Sequence, residues 1–306
     1  MNYTVNMRRE VFTHVFAQTV PLWLAMLFCE SFLAHPVDSR QRNPQYDPSS
    51  QFVGPPTLVP AEEIDAEGAS NGTPAIPPGT ILPVRLNSAI SSAKSWPGQV
   101  ITGRIMQDVP LSSGERIRAG TKVTGHIVER TSASAGAQAH ISLQFDELVS
   151  PHQTTFITTN LRAIAGFMQI AEAQIPTSGP GESDVYRWLT TVQVGGEVVY
   201  GEGGPVTTAE NANQIVGKQV NGGVLGQARA KEGTKCRGAV DGNDSPQALW
   251  VFSSDACGTY GLAKISIAHA GRTDPVGVIV LTSDSGNFKI AGGAGMLLRV
   301  NANSRN

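Results

Sequence analysis

Charged residues and cysteines are scarce in this sequence, and the balance of charge excludes one class of protein. Basic residues number 23 and acidic residues 25 among 306, which gives a net charge of -2. This balance leaves no broad basic face, so nucleic-acid binding is excluded as a main activity. Glycine (33) and proline (19) are abundant instead. A surplus of these two residues favours a fold with many turns.

Clear motifs for catalysis, metals and cofactors are also missing. Ser253, Asp255 and His269 could be combined into a Ser–His–Asp set, but no nucleophile-elbow sequence surrounds Ser253. The segment 241–244 has the composition of a calcium loop but too few oxygen ligands, so it favours an Asx turn. The histidines lack the tandem spacing of a zinc site: His126, His140, His152 and His269. We therefore predict no enzymatic activity, no bound metal and no cofactor.

The long apolar run in the chain lies near its N-terminus. Arg8 and Arg9 precede an apolar core at residues 20–28, an order typical of a secretory signal peptide. Without cleavage, residues 11–29 are long enough for a membrane anchor. A misassigned start codon, a cytosolic protein and lipidation at Cys29 are the other readings. We predict that residues 1–34 are a signal peptide or anchor of a protein exported to the bacterial periplasm or outer envelope.

Residues 35–75 form the second segment. They are rich in Pro, Ser, Asn, Gln and acidic residues and show almost no apolar periodicity. Such a segment cannot bury enough apolar surface to offset its ordering entropy, which predicts a disordered linker. The alternative is that residues 45–48 and 53–56 are short docking motifs.

Cys236 and Cys257 are the two cysteines that remain after residues 1–34. An even number of cysteines in an oxidising compartment predicts a disulfide between them. The alternative is a pair of buried free thiols. Metal binding is not favoured, because no histidine stands at a suitable spacing.

Apolar and polar residues alternate in short segments from residue 76 onwards. This alternation is typical of antiparallel strands that bury one face. The predicted strands are 80–87, 99–109, 122–130, 140–148, 154–159, 188–194, 197–200, 248–253, 264–268, 276–282, 287–290 and 296–300. The predicted fold is all-β, a single closed or nearly closed β-barrel with one short helix, over residues 76–303.

The middle of this domain departs from the alternation. Residues 161–173 carry apolar side chains at helical spacing, which predicts the short helix. Gly195-Gly196 predicts a two-residue hairpin turn. Residues 201–235 are rich in Gly and Asn and predict a mobile, irregular loop. The barrel would then have a first half at 76–160, a central part with helix, hairpin and Gly-rich loop at 161–235, and a second half at 236–303.

One short pattern occurs three times and is the strongest indication of architecture. Gly79, Gly120 and Gly293 each precede a strand with alternating apolar residues, and Gly98 marks a further turn. Glycine suits such positions because positive φ costs it little. The copies are too far apart to form a repeat array. We predict that they are equivalent corners of one closed β-structure.

Residues 76–148 resemble the barrel-forming scaffold protein of bacterial type IV secretion core complexes, the conjugation-system family. The matching positions are Ile76, Pro77, Gly79, Thr80 and Leu82 in the first strand, Pro97, Gly98, Gln99, Asp108 and Val109 around the second, Ile117, Gly120, Thr121 and Gly125 at the next corner, and loosely Gly293, Met296 and Val300 within 290–301. Arg118 stands where the family has proline. The resemblance implies a barrel and a scaffold role. The family's membrane-crossing helical hairpin has no counterpart after residue 34, so the channel role is not carried over.

Three functions remain open. The first is a non-enzymatic envelope protein, a structural or interaction module that self-associates or binds other envelope proteins and contacts the membrane only through an uncleaved N-terminal segment. The second is a secreted glycan or cell-wall binding module, which would use Trp188 and the 201–235 loop. The third is a hydrolase with an unrecognised site. Arg272 and Asp274 either pair across a turn or bind an anionic partner. The three tryptophans of the domain are expected in the core, with sugar-stacking platforms as the alternative: Trp96, Trp188 and Trp250.

Overall fold

A computed structural model describes residues 76–302, except 136, 152, 176, 179–188, 202, 230–244 and 269–275. The predicted signal peptide and linker lie outside these residues. The first strands are β1 (Ile81–Leu86), β2 (Ile90–Ser91), β3 (Val100–Ile105), β4 (Val109–Pro110), β5 (Arg116–Ile117), β6 (Lys122–Thr131), β7 (Ala139–Val149), β8 (Thr154–Phe156) and β9 (Thr159–Ala165). They are followed by helix α1 (Phe167–Ala173) and the strands β10 (Thr177–Ser178), β11 (Leu189–Val192), β12 (Val198–Tyr200), β13 (Pro205–Thr207), β14 (Ile215–Val220), β15 (Gly223–Gly226) and β16 (Gln247–Trp250). The last strands are β17 (Gly258–Tyr260), β18 (Ile265–Ile267), β19 (Ile279–Ser283), β20 (Lys289–Ile290) and β21 (Gly295–Val300).

Nine strands form a nearly closed barrel in the order β17-β9-β21-β1-β3-β6-β7-β19-β18, with β8 beside β7. All neighbours are antiparallel except β17 and β9. The two outer strands, β17 and β18, are consecutive in the chain. They meet through a side chain, because the Thr259 hydroxyl donates to the Ile265 carbonyl at 3.0 Å. The prediction of a barrel is confirmed in this coarser form: the wall is mixed and has one seam.

The barrel encloses the main hydrophobic core. Inward apolar residues on β3, β6 and β7 alternate with more exposed outward ones, as in the sequence pattern, whereas β1 is buried at every residue except Arg85. The buried side chains from these strands include Val84, Ile101, Val123, Ile141 and Phe145. The resulting apolar interior supplies the principal stabilisation of the wall through burial.

The three repeated corners have the same local structure. Gly79, Gly120 and Gly293 adopt φ values of 86°, 87° and 86°. The Gly79 N–H donates to the Val300 carbonyl and the Gly293 N–H to the Leu86 carbonyl, both at 2.8 Å. Because β1 and β21 pair antiparallel, these two corners are related by a local two-fold axis. The Gly120 N–H makes the equivalent bond to Ile105 at 2.7 Å.

A second sheet lies outside the barrel wall, which corrects the prediction of a single barrel. Seven strands, β10 to β16, follow one another in chain order and curl into a half-barrel. The prediction of an irregular loop at 201–235 is wrong for residues 205–207, 215–220 and 223–226, which form β13, β14 and β15. Residues 208–214, between β13 and β14, are irregular as predicted. The glycines of 215–226 belong to strands and tight turns. Val199, Val206 and Val224 form a small core inside the curl.

The predicted helix at 161–173 is also corrected. Residues 161–165 belong to β9, and only Phe167–Ala173 is helical. Every residue of β9 is buried, because one face lines the barrel and the other faces a second hydrophobic cluster that contains Ala163, Trp250 and Phe252. A strand buried on both faces loses its alternation. The apolar residues of 161–165 were therefore compatible with helical spacing as well as with a strand.

Candidate functional site

Two depressions share Gly195, in the turn between β11 and β12. The first, which we call the α1 cleft, has a volume of about 370 Å³. It is lined mainly by Glu172, Ala173, Ile175, Val192, Gln193 and Tyr260. The second, the acidic pocket, has a volume of about 420 Å³ and includes Glu197, Thr208, Glu210, Arg229 and Asp255. Both are open at the surface.

The turn between them is fixed by backbone hydrogen bonds. The Val194 N–H donates to the Val251 carbonyl at 2.7 Å, and the Ser253 N–H donates to the Val194 carbonyl at 2.9 Å. Gly195 has φ 108°, and a Cβ atom there would overlap with the hydroxyl of Ser253. Only glycine allows both the positive φ and the close contact with Ser253. The Gly195-Gly196 signal in the sequence thus marks a place where two segments come into close contact.

The α1 cleft is lined by apolar side chains and by the polar residues Gln193 and Tyr260. Gln193 is 4% exposed, and its Nε2 donates to the Phe252 carbonyl at 2.9 Å. Its buried Oε1 has no donor in the described part of the chain. The Tyr260 hydroxyl accepts from the Cys257 N–H at 3.0 Å. Burial raises the pKa of Tyr260, so the phenol stays protonated.

The acidic pocket is backed by a buried polar network. Glu197 accepts hydrogen bonds from Arg229 Nη2 and the Ser254 N–H, both at 3.0 Å, and from the Ser254 hydroxyl. Behind it, the guanidinium of Arg162 donates to the carbonyls of Ser254, Ala256 and Arg229. Burial lowers the pKa of Arg162 to about 10, which leaves it charged at neutral pH. These bonds hold residues 253–257 in place, so Glu197 and Arg162 have a structural role here.

The serine and aspartate considered as a catalytic set do lie together. The Ser253 hydroxyl donates to Asp255 Oδ1 at 2.9 Å, beside the acidic pocket. Nucleophilic attack by a serine also needs a general base, and the candidate base of this set is His269. His269 lies outside the described residues. A Gly-x-Ser-x-Gly pattern does occur in the sequence, at 68–72, and it too lies outside them.

The described histidines are dispersed along the wall. His126 Nδ1 lies 3.0 Å from an Asp146 oxygen, and His140 Nε2 lies 3.0 Å from the Ser142 hydroxyl. No group of three or more His, Cys, Asp or Glu side chains suited to a metal occurs among the described residues.

A further depression, of about 840 Å³, lies between the β4–β5 and β7–β8 hairpins. Leu111, Ile117 and Leu148 contribute apolar surface to it, and Arg116 and Arg118 are on its rim. Arg116 pairs with Asp108 at 3.2 Å, and both side chains are solvent-exposed, so the pair contributes little. None of its described lining side chains holds a buried polar atom without a partner.

Several large apolar side chains are exposed around α1. Met168 is 67% exposed and Ile175 is 62% exposed, and Phe167 and Val192 are also at the surface. We call these four residues the α1 patch; Ile175 and Val192 also line the α1 cleft. Trp96 is 61% exposed, so the prediction that it lies in the core is wrong. Trp250, in contrast, is buried in the core as predicted.

The remaining sequence-based candidates have different outcomes. Trp188, Arg272, Asp274 and Cys236 lie outside the described residues, so the ligand contacts and the disulfide to Cys257 stay predictions. Gly98 adopts φ 80° in the turn before β3. Glu172 and Gln193 were missed by sequence reasoning. Their signal is weak: Gln193 is a polar residue inside an apolar strand, two positions before the glycine pair.

No protein-family model matches the chain. A search of curated proteins likewise found no match. Within the described part of the chain, no helix combines the length and the apolar character that crossing a membrane requires.

Proposed function

We propose that the chain is a non-enzymatic exported envelope protein that acts as a structural or interaction module, through self-association or through docking of another envelope protein. The observation that carries this proposal is the α1 patch. Apolar side chains clustered at a surface are a common mark of a protein–protein contact. Met and Phe, both present here, are enriched at such contacts.

The fold supports the same proposal. A barrel with a packed core and a second sheet fixed to its wall is a rigid support for a contact surface. Glu197 in the acidic pocket and Arg162 behind it are both buried, and their hydrogen bonds to other residues of the chain hold this region in shape. The resemblance of residues 76–148 to secretion scaffold proteins favours a role in an envelope assembly.

The test is the assembly state of the full-length protein from envelope fractions, measured by size-exclusion chromatography with light scattering. We expect a complex larger than the monomer, and we expect Ile175→Glu to dissociate it. Ile215→Glu is the matched control, because Ile215 is 66% exposed on β14, away from the patch. A monomer at all concentrations, with no envelope protein retained on it, would contradict the proposal.

A second candidate, glycan binding, is favoured by the exposed Trp96. An exposed indole can stack against a sugar ring, and Val100, four residues further along the chain, is also at the surface. The same light-scattering measurement separates the two functions, since a glycan-binding module would be a monomer. It would also bind soluble peptidoglycan fragments with a change in fluorescence that Trp96→Ala removes.

A further inference from the structure

Helix α1 turns one face to solvent. Met168, Ala171, Glu172 and Ile175 follow the spacing i, i+3, i+4 and i+7, which places residues on one side of a helix. Ile175 follows the helix in a turn in which its N–H donates to the Glu172 carbonyl at 3.0 Å. The opposite side holds Ile170, which is buried in the second hydrophobic cluster. The small side chain of Ala171, in the middle of the exposed face, lets another helix come close.

One positive and one negative side chain stand at opposite ends of this face. At the first end, Arg85 Nη2 and the ring of Phe167 both lie within 4 Å of the position that a Cβ atom on Gly293 would take. At the other end, Glu172 lies in the last turn of α1. Arg85 is half-buried and Glu172 is exposed. Neither side chain forms a salt bridge within the described part of the chain.

This arrangement of charges and apolar side chains is complementary to itself. In a dimer with a two-fold axis, each contact occurs twice with the two residues exchanged. Two α1 helices that pack antiparallel across such an axis bring the start of one helix next to the end of the other. Arg85 of each copy then meets Glu172 of the other. Phe167 and Met168 of one copy lie towards Ile175 of the other, so no like charges are opposed.

We propose that the α1 patch is the interface of a two-fold symmetric dimer, in which the α1 helices of two copies pack antiparallel and Arg85 of each copy pairs with Glu172 of the other. This inference rests on the proposed function, because it names the partner of the α1 patch as a second copy of this chain. The apolar side chains of the patch supply the contact area. The two ion pairs fix the antiparallel orientation.

The experiment measures the dissociation constant of the dimer by sedimentation velocity of the purified full-length protein. We expect a monomer–dimer equilibrium for the wild-type protein. Arg85→Glu and Glu172→Arg should each raise the dissociation constant at least about tenfold, because each variant opposes like charges twice in its own dimer.

An equimolar mixture of the two variants provides the decisive measurement. A dimer of one Arg85→Glu chain and one Glu172→Arg chain has opposite charges at both contacts. We therefore expect the mixture to dimerise to within about threefold of the wild-type dissociation constant. An interface that does not pair these two residues predicts no such recovery.

Two exposed residues of the second sheet and its loops provide matched controls. Lys218→Glu and Glu210→Arg make the same changes of charge at exposed positions. Each control variant, and their mixture, should dimerise to within about twofold of the wild-type dissociation constant. A monomeric wild-type protein overturns the inference, and so does a mixture of folded Arg85→Glu and Glu172→Arg chains that stays monomeric.

The salt dependence of the wild-type dimer keeps the inference testable if Arg85→Glu does not fold. Salt screens exposed ion pairs, so we expect the dissociation constant to rise about tenfold between about 0.05 M and about 0.5 M sodium chloride. A dimer that is equally tight or tighter at high salt has an apolar contact without these pairs, and this result overturns the inference.

The outcome is separable from that of the proposed function. If the purified protein is monomeric but envelope fractions contain a larger complex that Ile175→Glu dissociates, the interaction role stands and the dimer fails. If the mixture of variants restores the dimer but cell fractionation finds the protein in the cytoplasm, the dimer stands and the envelope role fails.

Discussion

Gln107 connects the barrel to the second sheet through one side chain. Its Oε1 accepts from the Trp250 N–H at 2.7 Å, and its Nε2 donates to the Val224 carbonyl at 3.0 Å. These bonds replace ladder bonds where the register between β15 and β16 shifts and Trp250 has φ 54°. Gln107 is fully buried, so water is not available as a substitute partner.

Gln107→Leu should therefore be strongly destabilising. The change leaves one buried N–H and one buried carbonyl without partners, each at a cost of about 1–3 kcal/mol. We expect the free energy of unfolding, measured by chemical denaturation, to fall by about 2–5 kcal/mol. Gln153→Leu makes the same change at an exposed position and should shift it by less than about 0.5 kcal/mol. If Gln107→Leu had the same free energy of unfolding as the wild-type protein, the contact between the two sheets would not depend on this side chain.

At the scale of elements, the turn between β11 and β12 allows a paired test. Gly195 and Gly196 have similar backbone angles, φ 108° and 112°. A Cβ at Gly195 would overlap with Ser253, whereas a Cβ at Gly196 meets no atom within 4 Å. The two positions therefore share backbone strain and differ in packing.

We expect Gly196→Ala to lower the free energy of unfolding by about 1–3 kcal/mol, because alanine is strained at such a φ value. Gly195→Ala should cost roughly 1–3 kcal/mol more, because it also overpacks the contact with residues 251–253. Thermal unfolding of both variants gives the comparison. Adding Ser253→Ala should recover part of the Gly195→Ala loss. Equal losses without recovery would mean that the turn is not packed against this segment.

The elements show what the sequence can and cannot reveal. The strands that bury one face, such as β6 and β7, were predictable because alternation survives there. β9 was misread as helix because both of its faces are buried. The glycines of residues 205–226 indicated a loop. In the structure, Gly217 and Gly226 lie in β14 and β15, at points where the backbone of the neighbouring strand comes close. The α1 cleft was not predictable, because it joins α1, β11 and Tyr260 through tertiary packing.

At the scale of the whole molecule, the last strand is an internal part of the wall. β21 lies between β9 and β1 and pairs with both. Its residues from Gly295 to Leu298 are buried. Without it, two rows of backbone groups and the apolar interior would be open to solvent, which favours aggregation.

A chain that ends at Lys289 should lose cooperative folding. We expect calorimetry to show no sharp unfolding transition, and the protein to aggregate or to bind a hydrophobic dye. A chain that ends at Ala302 retains β21 and is the matched control, expected to unfold as the full chain does. A sharp transition for the shorter chain would show that the barrel is completed without its last strand.

The pairing of β1 with β21 also sets how the domain would respond to force. Ile81 lies opposite Arg299 and Arg85 lies opposite Gly295, so residues 76 and 302 leave the sheet at the same end of this strand pair. Tension between these two points would peel the strands apart from that end, one hydrogen bond after another, instead of loading all the bonds in shear. The domain should open between β1 and β21 at low force when pulled through 76 and 302. A load applied through the surface of the barrel would not act on this strand pair.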